Sequence, residues 1–119
     1  MRFCVLPLIT LPAALAFGGF TNSCTKISYS YPSIYATCRS SAHGTVDTSF
    51  DLSLRLANAN GRLIWGANKD NFHFCKCSLD RSKAGVLDCD CMNLIGNYIN
   101  NRINLNAHCD NQNGYLTCD

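Results

Sequence analysis

The chain has 119 residues, ten basic and eight acidic side chains, a formal charge of +2, and no glutamate. So small a charge, with no basic patch and no acidic run, gives no footing for nucleic acid and no disordered tail. A chain rich in Asn, Ser, Gly and Asp disfavours long helices and suits short strands joined by tight turns.

The first stretch differs from the rest. Arg2 is followed by an almost wholly apolar run, Phe3 to Phe17, that closes on Ala14-Leu15-Ala16. This small-x-small ending after a positive start predicts a signal peptide over residues 1–16, cleaved after Ala16. Pro7 and Pro12 argue against a buried N-terminal helix, and the run is shorter than the ~20 apolar residues a permanent span needs. No later segment is long and apolar enough to cross a membrane. The expectation is a secreted, extracellular protein whose mature part is one domain, residues 17–119.

Cys4 leaves with the signal peptide. Eight cysteines remain, an even number that in an exported chain of this size predicts a disulfide framework. Zinc is the rival, since Cys75-Lys76-Cys77 and Cys89-Asp90-Cys91 could offer four thiolates. Structural zinc prefers longer spacings and oxidising compartments prefer disulfides, so no metal is expected. Asn113-Gly114 is a strong two-residue hairpin signal, because both turn positions must tolerate positive φ. Residues equidistant from the turn face each other, which puts Cys109 opposite Cys118. Residues two apart in a strand share a face, so a hairpin with nested bridges Cys75–Cys91 and Cys77–Cys89 is the natural solution. Crossed links would need a distorted ladder. Cys24–Cys38 takes the remaining pair.

Sliding the chain against itself by 53 positions brings Cys24 onto Cys77, Cys38 onto Cys91 and Leu52 onto Leu105. Asn58, Asn60, Gly61 and Leu63 fall on Asn111, Asn113, Gly114 and Leu116. The types that match, cysteines and an Asn-Gly turn with its flanks, mark an internal repeat. Its units run over 20–66 and 72–119. Each predicts two strands across the cysteines, a polar loop, an alternating apolar strand (Phe50, Leu52, Leu54 and Leu56 in unit one) and an Asn-Gly hairpin. Across Asn60-Gly61, Leu56 faces Trp65 where unit two has its Cys109 and Cys118. A cross-strand apolar pair is exchanged for a covalent one, which makes Trp65 a packing residue rather than a sugar-stacking platform.

These residues resemble a known family. Phe20-Thr-Asn-Ser-Cys24, Ile34-Tyr-Ala36-Thr-Cys38, Phe50-Asp-Leu52-Ser and Asn58-Ala-Asn60-Gly61-Arg-Leu63-Ile-Trp65 are similar to the units of the cyanovirin-N homology family. Unit two answers with Asn71-Phe72, Leu87-Asp-Cys89-Asp-Cys91, Ile103-Asn-Leu105-Asn106 and Asn111-Gln-Asn113-Gly114-Tyr-Leu116. The resemblance covers essentially all of the mature chain, and the extra C-x-C pairs are similar to those of secreted members from filamentous fungi.

The resemblance implies an all-β fold of two pseudo-symmetric lobes that exchange hairpins, the N-terminal stretch being completed by the last hairpin. It also implies a non-catalytic lectin, without cofactor or metal, for mannose-rich glycans including α1,2-linked mannose. The main sugar pocket would gather Asn22, Ser23, Arg39, Ser40, Ser41, Asn111 and Asn113, groups with the donors and acceptors that hydroxyls need. Turn chemistry alone accounts for Asn113, and Asn111 could simply cap the hairpin. The second pocket would use Asn58, Asn60, Asn71 and Asn93. There Met92-Asn93-Leu94-Ile95-Gly96 offers a single hydrogen-bonding side chain, and Phe72 lies three rather than four before its first cysteine. A weak or lost second site is therefore expected, with Met92, Leu94 and Ile95 packed internally or forming a partner surface.

The alternative reading is a stapled scaffold acting through protein contact. His43, His73 and His108 have no sequence neighbours that form a catalytic arrangement. A monomer or a dimer swapped about a hinge near Gly66-Ala67-Asn68 is expected.

Overall fold

A computed structural model describes residues 18–66 and 71–119. The signal segment 1–16 lies outside the described residues, as do Ala67 and Asn68 of the expected hinge. Among the described residues, ten strands and three single-turn 3-10 segments make up two lobes of one plan.

In the first lobe, β1 (Cys24–Ser30), β2 (Ser33–Ser40) and β3 (Gly44–Asp51) form an antiparallel sheet in that order. Strand parity sets its two faces: Ile34, Ala36, Cys38 and Ser40 are buried, while Tyr35 and Arg39 between them are exposed. The apolar alternation through Leu56 predicts one continuous strand, and the structure differs. Asp51 accepts a hydrogen bond from Ser53 N (2.9 Å) and starts a 3-10 turn, Leu52–Leu54. Leu52 is buried and Leu54 is exposed. The physical reason is the competition of an Asx side chain with the ladder. In the second copy Asn104 caps Leu105–Ala107 in the same way, through Asn106 N.

The chain then makes the hairpin β4 (Leu56–Ala59) and β5 (Arg62–Trp65), and the second sheet β6 (Cys75–Leu79), β7 (Val86–Met92) and β8 (Tyr98–Asn104). It ends in β9 (Cys109–Gln112) and β10 (Tyr115–Cys118). The hairpins are exchanged. Leu116 N donates to Thr48 Oγ1 on β3 (3.0 Å), and Leu63 N donates to Asn101 Oδ1 on β8 (2.9 Å). Gly61 and Gly114 serve twice: they turn at φ 92° and 102°, and a Cβ there would lie 2.8 Å from Ile99 and 2.7 Å from Val46. Only glycine allows so close an approach in that conformation.

The described residues hold four disulfides: Cys24–Cys38, Cys75–Cys91, Cys77–Cys89 and Cys109–Cys118. One detail of the repeat alignment is corrected. Cys24 faces Cys38 as Cys75 faces Cys91, so the spatial counterpart of Cys24 is Cys75, not Cys77. The first strands slip because β1 bulges between Thr25 and Ser28 and because the turn after β6 is longer than that after β1.

Phe20, Ile34, Leu52, Leu56, Phe72, Leu87 and Leu105 are all fully buried and join the cystine sulfurs in one continuous core. Burial of each such side chain is worth ~1.5–3 kcal/mol. The seam between lobes is polar and aromatic. Trp65 stacks on His108 (4.2 Å between centroids) and its Nε1 donates to Asp119 Oδ1 (3.0 Å), while Tyr31 donates to Phe72 O (2.6 Å).

Candidate functional site

Each lobe ends in a loop cluster pinned by the visiting Asn-x-Asn-Gly hairpin. In the first lobe, Asn111 Nδ2 donates to Ser23 Oγ and to Arg39 O, both at 2.9 Å. Its Oδ1 accepts from Gly114 N (2.6 Å). Asn113 Oδ1 accepts from Ser41 N (2.9 Å), Ser41 Oγ (3.1 Å) and Ser40 Oγ (3.4 Å). Arg39 Nη2 donates to Asn22 O (3.2 Å). The seven residues that the sequence nominates for the main pocket thus fall into two neighbouring hydrogen-bonded groups, Asn111 with Ser23, Arg39 and Asn22, and Asn113 with Ser40 and Ser41.

Their roles divide. Asn111 and Asn113 are spent on the loops, and Ser40 Oγ, in a buried residue, also accepts from Ala42 N and His43 N. Asn22, Ser23 and Arg39 instead line a notch of about 200 Å³, together with Thr25, Thr37 and Thr45. The threonines escape the sequence reading, although strand parity could have found them. Thr25 pairs with Thr37, and Thr45 with Arg39, so all lie on the outward face.

The second lobe repeats the clamp. Asn58 Nδ2 donates to His73 O (2.9 Å) and Met92 O (3.1 Å), and Asn58 Oδ1 accepts from Gly61 N (2.7 Å). Asn60 Oδ1 accepts from Leu94 N (2.8 Å). Asn71 pairs through its backbone, accepting from Asn58 N (2.8 Å), and Asn93 Oδ1 caps its own loop by accepting from Ile95 N and Asn97 N. The cleft beside them is larger, about 500 Å³, and Phe74, Met92 and Leu94 give it an apolar rim. Leu94 and Ile95 are 89% and 80% exposed, so they do not pack internally; Met92 is half-buried. Phe74, which the sequence does not single out, is 74% exposed. The larger cavity thus lies in the lobe that the sequence ranks second.

Two hairpin clamps on two sheets, in this order along the chain, match a known domain: the CVNH domain model fits residues 20–117. The chain belongs to the CVNH family. Among solved structures it is similar to the T. borchii CVNH protein, with 25% identity, a TM-score of 0.72, and coverage of 85% of this chain and 99% of that one. It is also similar to microvirin, determined as a mannobiose complex (24% identity, TM-score 0.72, coverage 86% and 99%). A third is a MoCVNH3 variant in complex with (N-GlcNAc)4 (18% identity, TM-score 0.73, coverage 86% and 97%). No curated protein matches the chain in sequence. Within this CVNH chain, the clamp asparagines hold the loops at the end of each lobe.

Proposed function

We propose that the protein is a secreted, non-catalytic lectin that binds mannose-rich glycans, including α1,2-linked mannose, mainly through the notch of the first lobe. The observation that carries this reading is the rigid polar cluster itself. Asn111 and Asn113 fix the loops, so that the Arg39 guanidinium, Asn22 and the hydroxyls of Ser23, Thr25 and Thr45 stand in fixed positions around a concave surface. Preorganised donors and acceptors of this kind lose little freedom when sugar hydroxyls replace water. The mannobiose and (N-GlcNAc)4 complexes of two CVNH structures support a carbohydrate ligand. A single working notch would bind monovalently, and a swapped dimer would be needed to crosslink glycans.

A second reading has its own observation. Phe74 and Leu94 are exposed on the apolar rim of a cleft within the ~300–1,000 Å³ range of ligand pockets, and Ile95, next to Leu94 in the chain, is exposed as well, a surface suited to protein contact. Calorimetric titration of mannobiose separates the two. The lectin reading expects Arg39→Ala to weaken binding at least tenfold and Asn71→Ala to change it less than twofold. The reverse pattern would move the site to the second lobe, and absence of binding to any mannose-terminated glycan would sink the lectin reading. Arg39→Ala is preferable to Asn111→Ala, because the latter removes the clamp along with any sugar contact.

A further inference from the structure

The outward face of the first sheet carries polar groups that the described residues leave unused. At the β1 bulge, Lys26 adopts φ 53°, and beside it lies a depression of about 350 Å³. Its walls include Lys26, Tyr35, Thr37, Asp47 and Ser49. Thr37 Oγ1 donates to Asp47 Oδ1 (2.7 Å), which orients the carboxylate, and among the described residues no donor reaches Asp47 Oδ2. Tyr35 is 43% exposed. Thr37 also lines the notch at Asn22 and Arg39, so the two concavities adjoin at that residue.

The same face of the second lobe is closed. There, 53 positions on, Asn100 Nδ2 donates to Asp88 Oδ1 (2.7 Å) and Asp90 Oδ1 (2.8 Å). Arg102 bridges Asp80 and Asp88, and Lys76 Nζ sits 4.6 Å from the centre of the Tyr98 ring. Asp80 and Asp88 are thereby engaged through both carboxylate oxygens, and Asp90 through one. In the first lobe the corresponding groups are one carboxylate, one ammonium, an aromatic ring and several hydroxyls facing solvent.

We propose that this depression is a second subsite of the first lobe, so that an oligosaccharide lies across β2 and β3 from Arg39 to Tyr35. The proposal rests on the carbohydrate reading above and extends it from a terminal sugar to a chain. A pyranose ring has an apolar C–H face and a rim of hydroxyls. Tyr35 offers an amphipathic aromatic surface for the first. Asp47 accepts from neighbouring hydroxyls in charge-assisted bonds, and Lys26, Thr37 and Ser49 complete the set. Tyr35 and Arg39 both point outward from β2 and lie about 13 Å apart along the strand, roughly the length of two to three hexose rings.

The test is calorimetry with α1,2-linked mannobiose and mannotetraose, supported by backbone amide spectra of each variant to verify folding. Wild-type protein should bind the tetraose about tenfold more tightly than the biose. Tyr35→Ala and Asp47→Asn should each remove most of that gain and leave mannobiose binding within twofold. Amides of Tyr35, Asp47 and Ser49 should shift with the tetraose and not with the biose. Equal affinity for the two lengths, or a gain that survives both substitutions, overturns the subsite and leaves the lectin reading standing. Failure of the wild type to bind either sugar overturns both.

Discussion

The two lobes share a backbone plan and a hairpin clamp, yet they spend their side chains differently. The first keeps a bulge at Lys26, hydroxyls and a half-used carboxylate on its outer face. The second ties the same face together with Arg102, Asn100 and three aspartates. Staples follow the same division. The first lobe has one bridge across its sheet and one across the visiting hairpin, Cys109–Cys118, whereas the second puts both across β6 and β7 and closes its visiting hairpin with Leu56 opposite Trp65. A duplicated scaffold thus fixes what both copies need, and the surface is free to diverge once the clamp and core are secure.

The clamp is where the lobes should behave alike, and it carries the largest expected effect. Asn58→Ala or Asn111→Ala leaves a turn N–H and two further partners without their side-chain contacts. Each should cost about 2–4 kcal/mol in denaturant unfolding, since unsatisfied partly buried groups are expensive. The two losses should agree within about 1 kcal/mol. A lobe that tolerates the change would show that its loops are held by something other than the clamp.

Next come the staples, where the lobes differ. Replacing Cys77 and Cys89 together with alanine opens a loop of sequence separation 12, and replacing Cys109 and Cys118 opens one of 9. Chain entropy puts each loss at about 2–3 kcal/mol. The site of the damage is the sharper readout. Hydrogen exchange should rise in β6 and β7 for the first pair. It should rise in β9, β10 and the loops at Ser40 and Ser41 for the second, because only that hairpin reaches the first lobe's notch. Exchange that rises evenly over both lobes would deny them separate stapling.

Much of this was legible in the residues. Positive φ at Asn-Gly fixes the hairpin registers, and with them the facing of Cys109 and Cys118. The repeat and its motifs carry the all-β two-lobe fold. Three features were hidden for physical reasons. The Leu52–Leu54 turn depends on one Asx hydrogen bond that apolar periodicity does not register. The equivalence of Cys24 with Cys75 depends on a bulge and a longer turn, which a gapless alignment cannot see. The seven first-lobe residues were brought together as nominated, but composition could not say that Asn111 and Asn113 would be used up holding loops. Nor could it show that Phe74 would stand exposed at the rim of the larger cleft.

A smaller effect is expected inside the first lobe at Tyr29, which occupies the place of Leu79 in the second. Among the described residues its hydroxyl is buried without a partner, and burial, aided by the nearby Tyr31, pushes its pKa up to about 12. Tyr29→Phe makes this position apolar as in the second lobe and removes an orphan donor. Unfolding free energy should stay unchanged or rise by about 1 kcal/mol. A clear loss would mean that the hydroxyl does have a partner, a bound water for instance.

The smallest effect concerns the network that closes the second lobe's face. The Arg102 guanidinium beside it, with Ser82 adding hydrogen bonds, holds the Asp80 carboxyl well below the usual carboxylate range. A group whose folded pKa is depressed stabilises the fold above its unfolded pKa and loses that contribution as pH falls towards the folded one. The loss should therefore begin as pH drops below about 4, the ordinary aspartate value. Because the pair lies at the surface, the change should be slight and should fade with added salt. The first lobe has Ser30 at the matching position and, among the described residues, no such pair. Acid should accordingly raise hydrogen exchange in β6, β7 and β8 before it does so in β1, β2 and β3. Arg102→Gln should abolish that order, and an order that persists in the variant would assign the acid sensitivity to another group.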